Sequence, residues 1–135
     1  MRRPYMNAFR LRWLMTIALL ATLSGSSGCR RNNGVIGTWR TEQPGPRGAT
    51  VITIEFRPNG REIQRIETGG RVVEITASYR MTEHIITHTL EAATRDGVVI
   101  NRPPQTVSYE YKLEGDKLSL LKSDGKVEME LERVE

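Results

Sequence analysis

The sequence predicts an all-β domain: a small antiparallel up-and-down β-barrel of about eight strands, with a two-layer β-sandwich as the alternative. Three observations point there. Apolar and polar residues alternate with period two in run after run between residues 35 and 133. Tight-turn signals separate the runs: Asn59-Gly60, Gly69-Gly70, Asp96-Gly97, Gly115-Asp116 and Ser123-Asp124-Gly125. No window of comparable length carries an apolar stripe at helical spacing.

Residues 1–28 stand apart from this pattern. Arg2, Arg3, Arg10 and Arg12 make a basic start with no acidic residue, and an apolar run follows at 13–23. Eleven apolar residues are too few for a membrane-spanning helix, which needs about 20, and suit a secretory signal peptide. Small residues lead into Cys29, the single cysteine of the chain, which therefore has no internal disulfide partner. Ser26-Ser27-Gly28-Cys29 resembles the lipobox of bacterial lipoproteins, although an aliphatic residue is usual where Ser26 stands. That resemblance implies cleavage before Cys29, acylation of its thiol, and anchoring in a lipid bilayer, where each buried CH₂ contributes about 0.8 kcal/mol. Arg30, rather than Asp, follows the cysteine. In a cell with two membranes, the family's sorting rule then implies the outer membrane, with the domain in the periplasm.

Removing the leader changes the charge. The chain carries 20 Lys and Arg against 16 Asp and Glu, and four of the basic residues lie in the leader, so residues 29–135 balance at 16 of each. A neutral domain without a basic cluster is not a nucleic-acid binder. Its length suits one domain, giving a signal peptide at 1–28, a lipidated cysteine and tether at 29–34, and the barrel at 35–135.

The strands follow in order. Residues 35–41 form the first, and the Pro/Gly-rich stretch 42–48 a loop, because proline cannot donate to a ladder. Residues 49–57 place Ile52, Ile54 and Phe56 on one face. Residues 61–68 return, but Ile63 and Ile66 fall on opposite faces, which suggests a bulge or an edge position. Residues 71–81 alternate most clearly, with Val73, Ile75, Ala77, Tyr79 and Met81 on one side. Residues 85–94 put Ile86, Leu90 and Ala92 on a face. Residues 95–105 read as irregular, opened by Asp96-Gly97 and closed by Pro103-Pro104. Residues 106–114 align Val107, Tyr109, Tyr111 and Leu113, residues 117–121 align Leu118 and Leu120, and the last run aligns Val127, Met129 and Leu131. Eight such strands must bury one continuous apolar face, and a sheet closed on itself does so without leaving an edge. An outer-membrane barrel is excluded by the charged faces of 71–81 and 127–133, which cannot lie against lipid.

Val35-Ile36-Gly37-Thr38-Trp39-Arg40, then Ile54-Glu55-Phe56-Arg57-Pro58-Asn59-Gly60, then Tyr111-Lys112-Leu113-Glu114-Gly115-Asp116-Lys117-Leu118-Ser119-Leu120 are similar in order to the small lipocalin-like domains of bacterial secreted lipoproteins. The resemblance covers nearly all of 35–135. It implies that Gly37 and Trp39 open the first strand, that Trp39 closes one end of the barrel, and that Arg133 of the last strand packs over it. It also implies a cup that in some members holds an apolar ligand.

Candidate sites are few. Tyr79, Tyr109 and Tyr111 fall on core-facing positions, where a buried phenol needs a partner. With Met81, Leu90 and Met129 they are the candidate lining of a small amphipathic pocket. His84 and His88 are four apart, a spacing that on a strand separates them by roughly 13 Å, so no metal site is expected. His88 shares the Ile86/Leu90 face near a barrel end, and His84 sits in a turn. No nucleophile–base pair or phosphate loop appears, and most carboxylates alternate with apolar residues and so face solvent. No cofactor and no enzymatic activity are expected. The function that follows is a membrane-anchored envelope lipoprotein holding a small apolar or amphipathic ligand; the alternative is a non-enzymatic structural or interaction lipoprotein with a filled core, acting through its outer surface.

Overall fold

The computed structural model describes residues 34–134; the leader, Cys29 and the tether before Gly34 lie outside the described residues. Nine strands follow one another: β1 Gly37–Gln43, β2 Thr50–Phe56, β3 Arg61–Thr68, β4 Arg71–Met81, β5 Ile85–Arg95, β6 Val98–Ile100, β7 Gln105–Glu114, β8 Lys117–Leu121 and β9 Val127–Arg133. Every pairing between them is antiparallel. β4 pairs β5, and β1 pairs β9 through Trp39 opposite Arg133 and Arg40 opposite Glu132. Eight strands thus close into an up-and-down barrel of lipocalin-like topology, with β6 a short addition beside β5. The sandwich is ruled out by that continuous ring of pairing.

Register decides what faces inward. Phe56 lies opposite Glu62, Glu62 opposite Ala77, Ala77 opposite Leu90, and Leu90 opposite Gln105. One row over, Trp39 opposes Ile54, Ile54 opposes Gln64, and Gln64 opposes Ile75. The main core cluster is Val35, Trp39, Ile52, Ile54, Phe56, Ile86, Leu118, Leu120 and Leu131, and Tyr79, Met81, Tyr109, Tyr111 and Met129 pack around it. This cluster fills the half of the barrel where the chain enters and leaves.

Three local expectations are corrected. β3 is neither bulged nor at an edge: its register with β2 and β4 is unbroken. Its inward set is Glu62, Gln64, Ile66 and Thr68, so Ile63 simply points outward. The bulge sits between β4 and β5 instead, where Thr76 opposes Ala92 and Ala77 opposes Leu90. Glu91 is the extra residue, which rotates the following positions so that Ala93, not Ala92, is buried. The stretch read as irregular contains β6. Asp96 and Gly97 take φ of 50° and 81°, the two left-handed conformations of a two-residue hairpin turn, and fold Val98–Ile100 back on β5. Asp96 tolerates this because its backbone N–H donates to the Val72 carbonyl (2.8 Å) and its Oδ1 accepts from Val72 N–H (2.9 Å).

Candidate ligand site inside the barrel

The inward face of β3 carries the polar groups of the interior. Glu62 is 0% exposed and His88, on β5, is 3% exposed. They meet across β4, where Ala77 stands between the two strands: His88 Nδ1 and Glu62 Oε2 are hydrogen-bonded at 2.6 Å. The other carboxylate oxygen, Oε1, accepts from Gln64 Nε2 at 2.5 Å. A chain Gln64–Glu62–His88 therefore runs through the apolar interior. Phe56 and Tyr109 flank the imidazole, with ring centroids at 6.1 and 5.9 Å. His88 Nε2 is the one buried side-chain nitrogen or oxygen among the described residues without a hydrogen-bond partner. Leaving such a group unpaired costs about 1–3 kcal/mol, so its retention calls for a reason.

A cleft of about 340 Å³ opens farther along β5, and Gln64, Glu62 and His88 do not line it. Its floor is Ile75, Leu90 and Ala93, and its exposed wall and rim are Glu91, Ala92, Arg102, Pro103, Pro104 and Gln105. It exists because β5 changes partner there, from β7 up to Leu90 to β6 from Ala93, while residues 101–104 span the gap. The floor adjoins the polar chain: Ile75 opposes Gln64 in register, and Leu90 lies two residues beyond His88 on the same strand face. Glu91 on the rim is held by Arg61 at 2.7 Å.

The opposite end is shut. Trp39 is 0% exposed, and its Nε1 donates to the Val35 carbonyl at 2.7 Å. The Arg133 guanidinium carbon lies 4.2 Å from the Trp39 ring centroid. Arg133 also donates to the carbonyls of Ile36 (3.0 Å) and Gly34, and faces Asp116 at 3.3 Å. Gly37 begins β1 at φ 132°, a conformation that side chains resist, which accounts for glycine before Trp39.

Of the six residues proposed to line a pocket, Leu90 alone borders the cleft. Tyr79, Met81, Tyr109, Tyr111 and Met129 pack against the core cluster. Tyr79 and Tyr111 send their hydroxyls outward to turn carbonyls, at Arg57 (2.7 Å) and Thr82 (3.2 Å). Burial pushes the Tyr79 phenol above its ordinary pKa, and the Glu62 carboxylate adds to this. Burial likewise raises Tyr109, with Glu128 adding and Lys122 opposing. His84 is exposed in the β4–β5 turn, apart from His88. Among the described residues no group of three or more His, Cys, Asp or Glu could hold a metal ion. Cys29 lies outside the described residues.

Sequence reasoning passed over Glu62 and Gln64. The available signal was their even spacing with Ile66: positions 62, 64 and 66 share one face of a regular strand. Comparison with known proteins gave no match among family models, curated proteins or solved structures.

Proposed function

We propose that this protein is a cell-envelope lipoprotein whose barrel holds a small apolar or amphipathic molecule, with no catalytic step. The observation that carries the binding role is the cleft over Ile75, Leu90 and Ala93, which gives an apolar floor an opening to solvent while the other end of the barrel is filled. Small-molecule sites are concave and mostly apolar, with few polar groups to orient the ligand. N-phenyl-1-naphthylamine, a neutral apolar fluorophore, is expected to bind saturably. Ala92→Trp, which adds bulk to the exposed cleft wall, should weaken that binding at least tenfold. Absence of saturable binding, or binding indifferent to Ala92→Trp, refutes this site.

The anchoring role rests on Cys29 behind its apolar leader. A labelled fatty acid should mark the wild-type protein and not Cys29→Ser, and the variant should leave the membrane fraction or accumulate as precursor. Label retained by the variant refutes acylation at Cys29. The filled-barrel alternative draws on β6, where Val98 and Val99 are 69% and 75% exposed beside a free strand edge.

A further inference from the structure

We propose that the cleft takes a singly charged anion on one short alkyl chain, such as a medium-chain carboxylate, with Arg102 holding the head while Ile75, Leu90 and Ala93 cover the tail. This rests on the cleft reading and adds the charge of the head group.

Two charged side chains border the cleft, Glu91 and Arg102. They are not equivalent. The Glu91 carboxylate is engaged by the Arg61 guanidinium at 2.7 Å, so its charge is already matched. Arg102 has no hydrogen-bond or ion-pair partner among the described residues. The rim is left with one unmatched positive charge. Gln105 adds a neutral amide on the side of the floor, because it lies opposite Leu90 in register and cross-strand partners share a sheet face.

The sequence around Arg102 restricts where that charge sits. Arg102 precedes Pro103, and Pro103 precedes Pro104. A residue before proline is confined to extended backbone, and each proline ring locks its own φ. Residues 102–104 thus form a stiff strap whose backbone has little freedom to lose when a ligand binds. The two proline rings border the same cleft with apolar surface.

This rim selects by charge and size. An arginine fork pairs with a carboxylate through two parallel hydrogen bonds, and one such head cancels the unmatched charge. A cationic head would add to it, and a neutral carbonyl would leave it standing. A doubly charged phosphate monoester would bring one negative charge too many beside Glu91. Small-molecule sites span roughly 300–1,000 Å³. At about 340 Å³ the cleft is at the low end, which suits one short chain and not a two-chain lipid.

The test compares heads on a shared tail. Decanoate, decyl phosphate, 2-decanone and decyltrimethylammonium are each titrated, in mildly alkaline buffer and below their micellar concentrations, against the purified full-length protein by displacement of N-phenyl-1-naphthylamine. Decanoate is expected to bind about fivefold more tightly than 2-decanone, the scale of one partly solvated ion pair, and more tightly than the other two. Arg102→Gln, on the exposed 101–104 span, should bring decanoate down to the affinity of 2-decanone. In ¹H–¹⁵N spectra the Arg102 Nε–H signal should shift with decanoate and not with 2-decanone. Equal binding of decanoate and 2-decanone, or tightest binding by the cation or the phosphate, overturns this inference and leaves the cleft reading standing. A decanoate preference that survives Arg102→Gln, or an Arg102 signal unmoved by saturating decanoate, overturns it as well. Loss of all binding by the wild type removes both readings, and the wild-type spectra remain decisive where the variant does not fold.

Discussion

Exchanging Trp39 and Arg133 tests how the barrel is closed. Trp39 is fully buried, so Trp39→Ala should cost on the order of 3–5 kcal/mol from lost area and the remaining cavity. Trp39→Phe keeps most of the ring but orphans the Val35 carbonyl, which costs about 1–3 kcal/mol. Arg133→Met keeps an apolar stem over the indole. It loses the cation–π contact, worth about 0.5–2 kcal/mol, and the bonds to the Gly34 and Ile36 carbonyls, each about 1.5–3 kcal/mol for a charged donor. Because the Arg133 side chain is a quarter exposed, solvent screens these bonds and the low end applies, about 2–4 kcal/mol in all. Urea unfolding should be followed by far-ultraviolet circular dichroism, since the remaining tryptophan, Trp13, lies in the leader. The cycle Trp39→Phe, Arg133→Met and the double variant should give a coupling energy of about 0.5–2 kcal/mol. Additive losses would refute the pair as the element that ties the first strand to the last.

Two further outcomes bear on the interior. His88→Leu alone should destabilise by about 1–3 kcal/mol, because it leaves a buried Glu62 oxygen without its partner, whereas Glu62→Leu/His88→Leu should lose less than the single variant; urea midpoints showing the double variant below the single one would contradict the buried pair. The folded chain keeps the Tyr109 proton above the ordinary phenol value of about 10, so the stability tied to this phenol is complete below that pH and lost as pH rises through the raised value. Tyr109→Phe should therefore lose less stability than wild type between neutral pH and about pH 11, and equal losses in the two proteins would show that this phenol is not the cause.

Much of the barrel was legible because a closed sheet obeys a period of two. β3, β4 and β8 begin and end at the residues their alternation and turn signals mark, and the first strand pairs with the last as a closed meander requires, whereas Trp39 opposite Arg133 was implied by the family resemblance. The misreadings have two causes. Alternation was followed through apolar residues alone, so the inward Glu62 and Gln64 made β3 look broken, when polar residues had been placed inside a regular strand. The Glu91 bulge was invisible for a different reason: it depends on how β5 must divide itself between β7 and β6, a constraint between strands distant in sequence. The site inherits both gaps. His88 was assigned to the correct face, but its partner could be found only once β3 and β5 were known to flank the small Ala77.

The closed end also determines how the domain bears a pull. Gly34 and Ile36 are gripped by Arg133, the Val35 carbonyl by the Trp39 indole, and Val134 N–H donates to the Thr38 carbonyl at 2.8 Å. Tension arriving along the N-terminal segment is thus passed to the C-terminal strand at the first residues of the domain, and the two chain ends are loaded together. The bulge, midway along β4 and β5, and the 101–104 span beyond it make no bond to those end contacts. The cleft can keep its shape while the root of the domain is under strain.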